Sequence, residues 1–372
     1  MKGCPQGSVL RPSFWNLIFD DLLAELTTST SECEPIEYAN DIVILVAGNT
    51  RNELQGKGQE VVTRVSTWGT RKKPALSAQK TKMLLVKGKL DAERPPIIKI
   101  NGRSIKMGQV IKYLGVHLER GLKINRHVQE IFSKCQKLLS SLARVGKAKW
   151  GLGHAAMRTL YKGLYEPITT YAAAGWSDLL NGKARRMLIR SQRMALLQVT
   201  KVYRTTSTEA LQVIAGVIPI DLLIEIRSRI YRKKRGQDES NNERAIVREA
   251  IEKWQERWQI TLKGRTTFEY LDSIKDGLES RRVRPDHYMT QYISGHGDFN
   301  SRLKTFCLSA PLRRSPRLAR RAPEQGREGD SNEDEPPATT TPDNRGSVSN
   351  NNNNFNIDNI NIDNNDEDDS SQ

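Results

Sequence analysis

The sequence predicts an α+β fold in the first third of the chain, followed by an all-helical region and a disordered tail. Three observations lead to this prediction. Residues 1–120 mix helix and strand patterns, whereas from about residue 121 apolar residues recur at helical spacing. After about residue 310 no periodicity survives. A length of 372 residues allows two or three folding units.

A helix and a hairpin are the first predicted elements. The apolar face of "FWNLIFDDLLAEL" consists of Phe14, Leu17, Ile18, Leu22 and Leu26. The segment "EYANDIVILVAG" then predicts a strand, a tight turn and a buried strand, with Asn40 and Asp41 at the tip.

Further strands are expected up to residue 120. A polar, helix-like stretch runs to Trp68, and a short strand is expected from Met83 to Val86. Asn101-Gly102 in "IIKINGRSIKM" indicates a type I′ hairpin, because both turn residues tolerate positive φ. The segment "VIKYLGVHL" predicts one more strand.

Amphipathic helices dominate the middle of the chain. One continuous apolar stripe consists of Val128, Ile131, Phe132, Cys135, Leu138, Leu139, Leu142 and Val145. Two further stripes consist of Met157, Leu160, Tyr161 and Leu164, and of Val247, Ala250, Ile251, Trp254 and Trp258. Between them, Thr206 with Glu209 predicts a capping box, and Gly216 with Pro219 predicts the end of that helix.

Charge is distributed unevenly along the chain. Residues 330–372 hold 11 acidic residues and one basic residue, whereas residues 1–329 carry a net charge of +26. A body this basic favours a polyanionic partner bound in a salt-sensitive way, although a solvated Lys-rich surface is the alternative. The Asn- and Asp-rich tail has too few apolar residues to offset chain entropy.

Cysteine usage and hydropathy narrow the class of protein. The four cysteines, Cys4, Cys33, Cys135 and Cys307, include no CxxC pair, which argues against a disulfide framework or a zinc ribbon. No run of about 18 apolar residues is present, so no membrane span is expected. The N-terminal residues lack the apolar core of a signal peptide, so we expect an intracellular protein, in the nucleus or the cytoplasm.

Two motifs about thirty residues apart suggest a family. They are "GCPQGS", from Gly3 to Ser8, and "YAND", from Tyr38 to Asp41. In this order the chain resembles the reverse transcriptases of non-LTR, LINE-type retrotransposons, above all the arthropod type-1 elements that insert into ribosomal RNA genes. The resemblance continues through "LSAQKTKMLLV", "KYLGV", "YRTTSTEALQVIAGVIPIDL" and "DHYMTQYISGHGDFNSRL", and covers roughly residues 1–305.

The resemblance implies an architecture and a set of partners. It implies a partial right-hand polymerase palm (1–120), a helical thumb-like region (121–235), a helical region preceding a lost zinc knuckle (236–310) and a disordered tail (311–372). It also implies an RNA template, a DNA primer or target, dNTP and, in the intact family, Mg²⁺ in a two-metal mechanism.

The same resemblance assigns roles to individual residues. Asp41 would be a metal ligand, Asn40 would occupy a degenerate metal-ligand position, and Lys80 would lie near the leaving pyrophosphate. Nucleic-acid and nucleotide contacts would involve Gly3, Pro5, Gln6, Gly7, Ser8, Tyr38, Tyr113, Leu114 and Gly115.

Departures from the family pattern suggest a loss of catalysis. Asn40 stands where the family has an acid, and Mg²⁺ prefers anionic oxygen ligands. In the family the other main metal carboxylate lies on a strand before "GCPQGS", so the resemblance implies a 5′-truncated copy without productive Mg²⁺ binding. No Cys or His follows Cys307, so a CCHC knuckle cannot form there.

Each assignment has a structural alternative. Asn40 and Asp41 could be ordinary turn residues, and Tyr113, Leu114 and Gly115 could be strand core. His287 and His296 lack a fourth ligand to accompany Cys307, which favours a structural role for both histidines.

Three hypotheses about function follow. The first is a fragment of an RNA-directed DNA polymerase that is inactive in this chain. The second is a non-catalytic, basic RNA- or DNA-binding protein derived from a retroelement. The third is a palm remnant that cannot fold, because its sheet would keep an unpaired edge.

Overall fold

The computed structural model describes residues 9–29, 33–39, 41–72, 76–88, 94–145, 152–236, 242–279 and 287–296. In these residues the fold mixes helix and sheet, and every strand lies between Cys33 and Glu119. The strands β1 to β8 are Cys33–Tyr38, Asp41–Val46, Lys82–Met83, Lys99–Ile100, Arg103–Ser104, Lys106–Met107, Val110–Tyr113 and Val116–Glu119. The expected tail, residues 311–372, lies outside the described residues.

Thirteen α-helices, α1 to α13, are present in the described residues, and four of them coincide with the predicted amphipathic stripes. They are Arg11–Ser29, Arg51–Lys72, Asn125–Val145, His154–Leu160, Glu166–Thr170, Ala173–Trp176, Gly182–Thr200, Thr208–Ala215, Ile220–Lys234, Glu243–Ile260, Arg265–Tyr270, Ile274–Glu279 and His287–Ser294. A π-helical turn, Tyr161–Tyr165, joins α4 to α5, and a 3₁₀ turn, Ser177–Leu179, follows α6. In the part of the chain that the structure describes, no helix is both long and apolar enough to cross a bilayer.

The strands pair two by two. β1–β2, β4–β5 and β7–β8 are antiparallel hairpins, and β3 pairs with β6 in parallel. The Asn101-Gly102 hairpin is confirmed, because both residues have positive φ, 48° and 78°, as a type I′ turn requires. The strand expected at 83–86 is shorter and begins one residue earlier, as Lys82–Met83.

The core of the first unit packs α1 and α2 beneath the β1–β2 hairpin. Its buried residues are Phe19, Leu22, Leu26, Val61, Val65 and Trp68. The predicted apolar face of α1 is therefore right at Leu22 and Leu26 and wrong at the other three positions, since Phe14, Leu17 and Ile18 are 49%, 72% and 39% exposed. Trp15 and Phe19 point inward instead, and the Phe19 ring lies 5.2 Å from Trp68.

The prediction of a single strand for "VIKYLGVHL" is wrong. Tyr113 pairs with Val116, so the chain reverses at Leu114-Gly115. Both residues have positive φ, 44° and 84°, and the Leu114 carbonyl accepts a hydrogen bond of 3.0 Å from the Tyr171 hydroxyl. A leucine in the left-handed region is unfavourable on its own, so tertiary contacts stabilise a turn that the local sequence does not signal.

A larger core lies in the helical region. Val128, Ile131, Cys135 and Leu139 are buried on α3, as the stripe predicts, and α3 packs against α7. The stripe on α10 is also confirmed, with Val247, Ala250, Trp254 and Trp258 buried and Ile251 packed against them. The helical region thus follows its hydrophobic pattern closely.

The stripe predicted from Met157 to Leu164 is wrong at one position. Met157 and Tyr161 are buried as expected, but Leu164 is 40% exposed and Tyr165 is buried in its place. The cause is the π turn, in which the Glu166 N–H donates to the carbonyl oxygen of Tyr161. The wider winding brings Tyr165 directly in line with Tyr161, and their rings stack with centroids 4.8 Å apart.

The capping box expected at Thr206 and Glu209 is also wrong. The N-cap of α8 is Ser207, whose hydroxyl accepts from the Ala210 N–H. Thr206 is buried one residue earlier. Gly216, with φ of 60°, ends α8 as predicted, and α9 begins directly after Pro219.

Candidate active site

The hairpin predicted to carry the catalytic residues is present. Tyr38 and Asp41 are directly paired across its tip, so a two-residue turn separates them. Ala39, the first turn residue, has φ of 54°, while Asn40 lies outside the described residues. Tyr38 is 63% exposed and Asp41 is exposed too. The tip therefore offers an aromatic ring and a carboxylate side by side to solvent.

The hairpin is supported from one side. Ile42, Ile44 and Val46 on β2 pack on the core of α1 and α2, whereas Leu45 is 40% exposed. The expectation that β2 is buried is thus wrong: its two-stranded sheet has only one covered face. The packing of β2 on α1 and α2 therefore positions Asp41, while the tip of the hairpin stays exposed to solvent.

A second carboxylate lies below the tip. Glu37 on β1 is half-buried, and its Oε1 atom has no hydrogen-bond partner among the described residues. Burial raises the pKa of Glu37, and the negative charge of Asp20 on α1 raises it further. The sequence analysis identified neither Glu37 nor Asp20 as a site residue. Every second residue of β1 faces inward, and this alternation could have pointed to Glu37.

Tyr113 lies within electrostatic reach of the hairpin tip. Burial raises the pKa of the Tyr113 hydroxyl, and the negative charge of Asp41 adds to that increase. Asp41 and Tyr113 are far apart in sequence, and the charge of Asp41 nevertheless bears on the Tyr113 hydroxyl.

Gly115 completes the β7–β8 turn and contacts the helical region. A Cβ atom built on Gly115 would lie 3.0 Å from Cε1 of Tyr171, which is closer than ordinary van der Waals contact. Glycine is therefore suited to this position both by its φ of 84° and by the nearby ring. Leu114 is 36% exposed, so the turn is accessible rather than core.

The other predicted residues are not brought to this tip by any described contact. Lys80 is exposed in the turn 77–81, where its N–H donates to the carbonyl oxygen of Ser77 over 3.1 Å. In the described part of the chain its ammonium group makes no hydrogen bond or ion pair. The positions of the GCPQGS motif, Gly3, Pro5, Gln6, Gly7 and Ser8, lie outside the described residues.

The part of the hairpin tip that the structure describes offers too few anionic donors for Mg²⁺. Among the described residues, no three His, Cys, Asp or Glu side chains are grouped so that they could hold a metal ion. Asp41 contributes one carboxylate, and a hard cation with six oxygen ligands needs more anionic donors than this. His296, considered for zinc, lies with Nδ1 2.6 Å from the Ser294 carbonyl oxygen, and Cys307 is outside the described residues.

A comparison to protein families agrees with the mixed helix and sheet of the first unit. Residues 1–118 match the family described as reverse transcriptase (RNA-dependent DNA polymerase). This segment includes the β1–β2 hairpin and nearly all of the β7–β8 hairpin. The first unit is therefore of the reverse transcriptase class.

Individual relatives define the family more closely. The chain is 33% identical over 322 residues to a retrovirus-related Pol polyprotein from the type-1 retrotransposable element R1 2 of Nasonia vitripennis, covering 80% of this chain and 78% of that protein. It is 32% identical to a putative 115 kDa protein in the type-1 retrotransposable element R1DM of Drosophila melanogaster, covering 83% of this chain and 31% of that protein. The chain belongs to the Pol proteins of type-1 R1 retrotransposable elements.

More distant similarity points to the same class. The chain is 23% identical over 172 residues to the RNA-directed DNA polymerase from mobile element jockey of Drosophila melanogaster, covering 45% of this chain and 19% of that protein. The chain spans about a third of the R1DM protein's length. No solved structure gives a significant match.

Proposed function

We propose that this chain is part of a retrotransposon RNA-directed DNA polymerase, with a partial palm in residues 1–120 and a thumb-like helical region in residues 121–235. The observation that supports this best is the match of residues 1–118 to the reverse transcriptase family, a segment that carries the β1–β2 hairpin with Tyr38 and Asp41 at its tip. In the proposal, the helices between Glu243 and Ser294 belong to a further helical region, 236–310.

The proposed roles follow from position. Asp41 provides a carboxylate at the site of nucleotide addition. In the proposal, the Tyr113-Leu114-Gly115 turn contacts the primer end, and Leu114 is its exposed residue. Tyr38 faces the same opening, where its ring can stack on a base. Lys80 and Gly3 to Ser8 would approach the triphosphate and the template.

Polymerisation is proposed to be absent from this chain alone. Two-metal chemistry needs several anionic ligands around the primer 3′-hydroxyl, and the described residues provide one at the tip, Asp41. Asn40 contributes an amide instead of a second carboxylate. Divalent metal ions belong to the chemistry of the family, and the remaining ligands would have to come from another segment or chain.

A primer-extension assay tests this proposal. The full chain is incubated with an RNA template, an annealed DNA primer, dNTP and Mg²⁺. We expect no template-dependent extension by the wild type. Extension that is abolished by Asp41→Ala, and retained by Glu34→Ala on the same hairpin, would overturn the proposed inactivity. Glu34 is a suitable control because it is exposed and makes no described side-chain contact.

Binding of primer–template tests the part that does not depend on catalysis. Tyr113→Ala should weaken binding of a fluorescein-labelled RNA–DNA primer–template about tenfold, since base–aromatic contacts contribute about 1–3 kcal/mol each. Tyr231→Ala, a half-exposed tyrosine on α9, is the matched control. Near-UV circular dichroism verifies that the variants are folded. Equal affinity for both variants would contradict the assigned role of Tyr113.

Charge favours a second candidate, a non-catalytic nucleic-acid-binding protein. The net charge of +26 on residues 1–329 is what such a protein needs, and it does not depend on the hairpin. This candidate predicts RNA or DNA binding that weakens steeply with salt and is unaffected by Asp41→Ala or Tyr113→Ala. Absence of binding in 50 mM salt, a condition in which about ten phosphate contacts would be strong, rules it out.

A further inference from the structure

A polar cavity lies in the helical region, away from the hairpin tip. Its volume is about 560 Å³, which is in the range of small-molecule sites. It is bounded by the loop before α8, the first turn of α8, the loop between α10 and α11, and the end of α13. The residues important to the argument are Arg193, Thr206, Glu209, Lys263, Thr267 and His296.

The start of α8 contributes free donors to this cavity. The Ser207 hydroxyl accepts from the Ala210 N–H, and the Ser207 carbonyl accepts from the Leu211 N–H. The N–H groups of Thr208 and Glu209 have no partner among the described residues. These N–H groups and the positive end of the helix dipole favour an anion at this place.

Two buried hydroxyls provide independent evidence for a ligand. Thr206 and Thr267 line the cavity, and each is only 1% exposed. Neither Oγ1 atom has a hydrogen-bond partner within the described chain. A buried hydroxyl without a partner is unfavourable, and native structures rarely leave two of them in the lining of one cavity. A ligand with several acceptor oxygens would satisfy both.

The charges around the cavity favour an anionic ligand. The Arg193 guanidinium is held at the wall by bonds to the Thr206 carbonyl, 2.6 Å, and the Thr208 hydroxyl, 3.3 Å. Lys263 is exposed and forms no described ion pair. Glu209 is the one acid among the lining residues and opposes these two cations. The lining side chains thus carry a net formal charge of about +1 with histidine neutral.

The wall of the cavity is closely packed. Gly264 has φ of 74°, and a Cβ atom there would lie 2.9 Å from the Ser207 hydroxyl oxygen and 3.0 Å from the Ala210 Cβ. The backbone of the α10–α11 loop therefore lies directly against the first turn of α8. This contact holds Lys263 and Thr267 close to the helix start without side-chain rearrangement.

We propose that this cavity is a binding site for a phosphate group. The hydroxyls of Thr206 and Thr267 and the free N–H groups of α8 would donate to its oxygens, with Arg193 and Lys263 balancing its charge. The volume leaves room for the adjoining sugar, so the occupant is a phosphodiester of a nucleic-acid backbone. That identity rests on the proposed function; the phosphate chemistry does not, and inorganic phosphate would bind by the same contacts.

Thermal unfolding of the full chain tests the phosphate chemistry. Potassium phosphate is titrated against potassium chloride at constant ionic strength. The midpoint of the wild type should rise by about 2–4 °C at saturation, and the rise should vanish in Thr267→Val or Thr206→Val. Glu209→Gln should reach the same rise at several-fold lower phosphate, because the opposing charge is removed. Lys183→Gln, at an exposed lysine on α7 outside the cavity, should behave as the wild type.

Salt-dependent RNA binding identifies the source of the phosphate. For a fluorescein-labelled 20-nucleotide single-stranded RNA, Lys263→Gln should reduce the slope of log K against log salt concentration by about 0.7. Lys183→Gln should leave the slope unchanged.

The outcomes separate the site from the proposed function. The proposed site is wrong if phosphate does not raise the thermal unfolding midpoint of the wild type. It is also wrong if Thr206→Val and Thr267→Val both retain the rise. A phosphate response with an unchanged RNA slope for Lys263→Gln keeps the site and overturns its assignment to nucleic acid. If the wild type binds no nucleic acid, the proposed function fails, and the thermal titration still decides whether the phosphate site exists.

Discussion

The hydroxyl of Tyr171 donates a hydrogen bond of 3.0 Å to the carbonyl oxygen of Leu114, across 57 residues of sequence. This bond joins the turn of β7–β8, at the end of the strand-bearing unit, to the segment that follows α5. The same ring lies against Gly115. The turn assigned to the primer is therefore supported by the helical region and not only by its own strands.

Gly115→Ala should destabilise the protein by about 2–3 kcal/mol, because it adds a Cβ both at a positive φ and against the Tyr171 ring. Gly121→Ala is the matched control, since Gly121 has φ of 73° and no atom within 4 Å of the added carbon. That control should lose only about 1–2 kcal/mol. Urea unfolding measures both values, and equal losses would show that the contact with Tyr171 is unimportant.

Stability should fall between about pH 6.5 and pH 4 because of His127. Its side chain is 3% exposed, and burial, followed by the charges of His117 and Lys134, lowers its pKa from 6.5 to about 4. Between these pH values His127 is protonated in the unfolded chain but stays neutral in the folded chain. The free energy of unfolding that is present above about pH 6.5 is therefore lost on acidification. The loss is about 3 kcal/mol at most.

His127→Asn tests the origin of this pH dependence. The backbone N–H of His117 donates to Nδ1 of His127 over 3.5 Å. The side-chain oxygen of an asparagine at position 127 can accept this bond in place of Nδ1. Urea unfolding at several pH values should give a shallower decline for the variant. A residual decline is expected from His154, whose pKa burial also lowers to about 4. An identical decline in both proteins would count against His127.

Asp221→Ala should cost about 2–3 kcal/mol. Asp221 is 6% exposed on α9, and its Oδ2 accepts bonds of 2.9 Å from Arg185 on α7 and from Arg257 on α10. Removing the carboxylate leaves two guanidinium groups facing each other across three helices. A double-mutant cycle with Arg185→Ala, followed by chemical denaturation, should give a coupling above about 0.5 kcal/mol. Additive losses would contradict a shared interaction.

Replacement of the two neighbouring hydroxyls before α8 should have different effects. Ser207→Ala should cost about 1 kcal/mol, because the Ser207 hydroxyl caps the helix. Thr206→Val should change stability by less than about 0.5 kcal/mol in phosphate-free buffer, since the hydroxyl that it removes has no described partner. Guanidinium unfolding of both variants provides the test, and the reverse order would restore Thr206 as the cap.

Sequence patterns predicted the helical character of the region after residue 121, the helices α3, α4, α8 and α10 within it, and two of the three hairpins. The Asn101-Gly102 turn was predictable because its residues favour positive φ themselves. The Leu114-Gly115 turn was not, since Leu114 adopts its conformation with the help of Tyr171, which is distant in sequence. The buried face of α1 was misassigned for a similar reason. Packing against α2 and the β1–β2 hairpin determines which face of α1 is buried, and the spacing of apolar residues alone does not.

The candidate site was predictable in its residues but only partly in its arrangement. Asp41 and Tyr113 were named from motifs, yet only the fold shows that they share an electrostatic environment. The alternation of β1 marks Glu37 as an inward position, but Asp20 lies on another element, so only the fold shows that its charge bears on Glu37. The phosphate site proposed in the helical region involves Thr206, which the sequence assigned to a capping box, and Thr267, which belongs to no motif; the fold places both in the lining of one cavity.

The π turn at Tyr161–Tyr165 has a genetic consequence. It holds one residue more than an α-helix needs to connect α4 with α5, and Gly163 within it has no neighbour within 4 Å of a built Cβ. Loss of that single codon would let the segment rewind as α-helix with both ends in place. The loss of one codon within α7 could not be absorbed in this way. It would rotate every later residue of that helix by about 100° and turn Ala195 and Leu196 away from the core of the helical region.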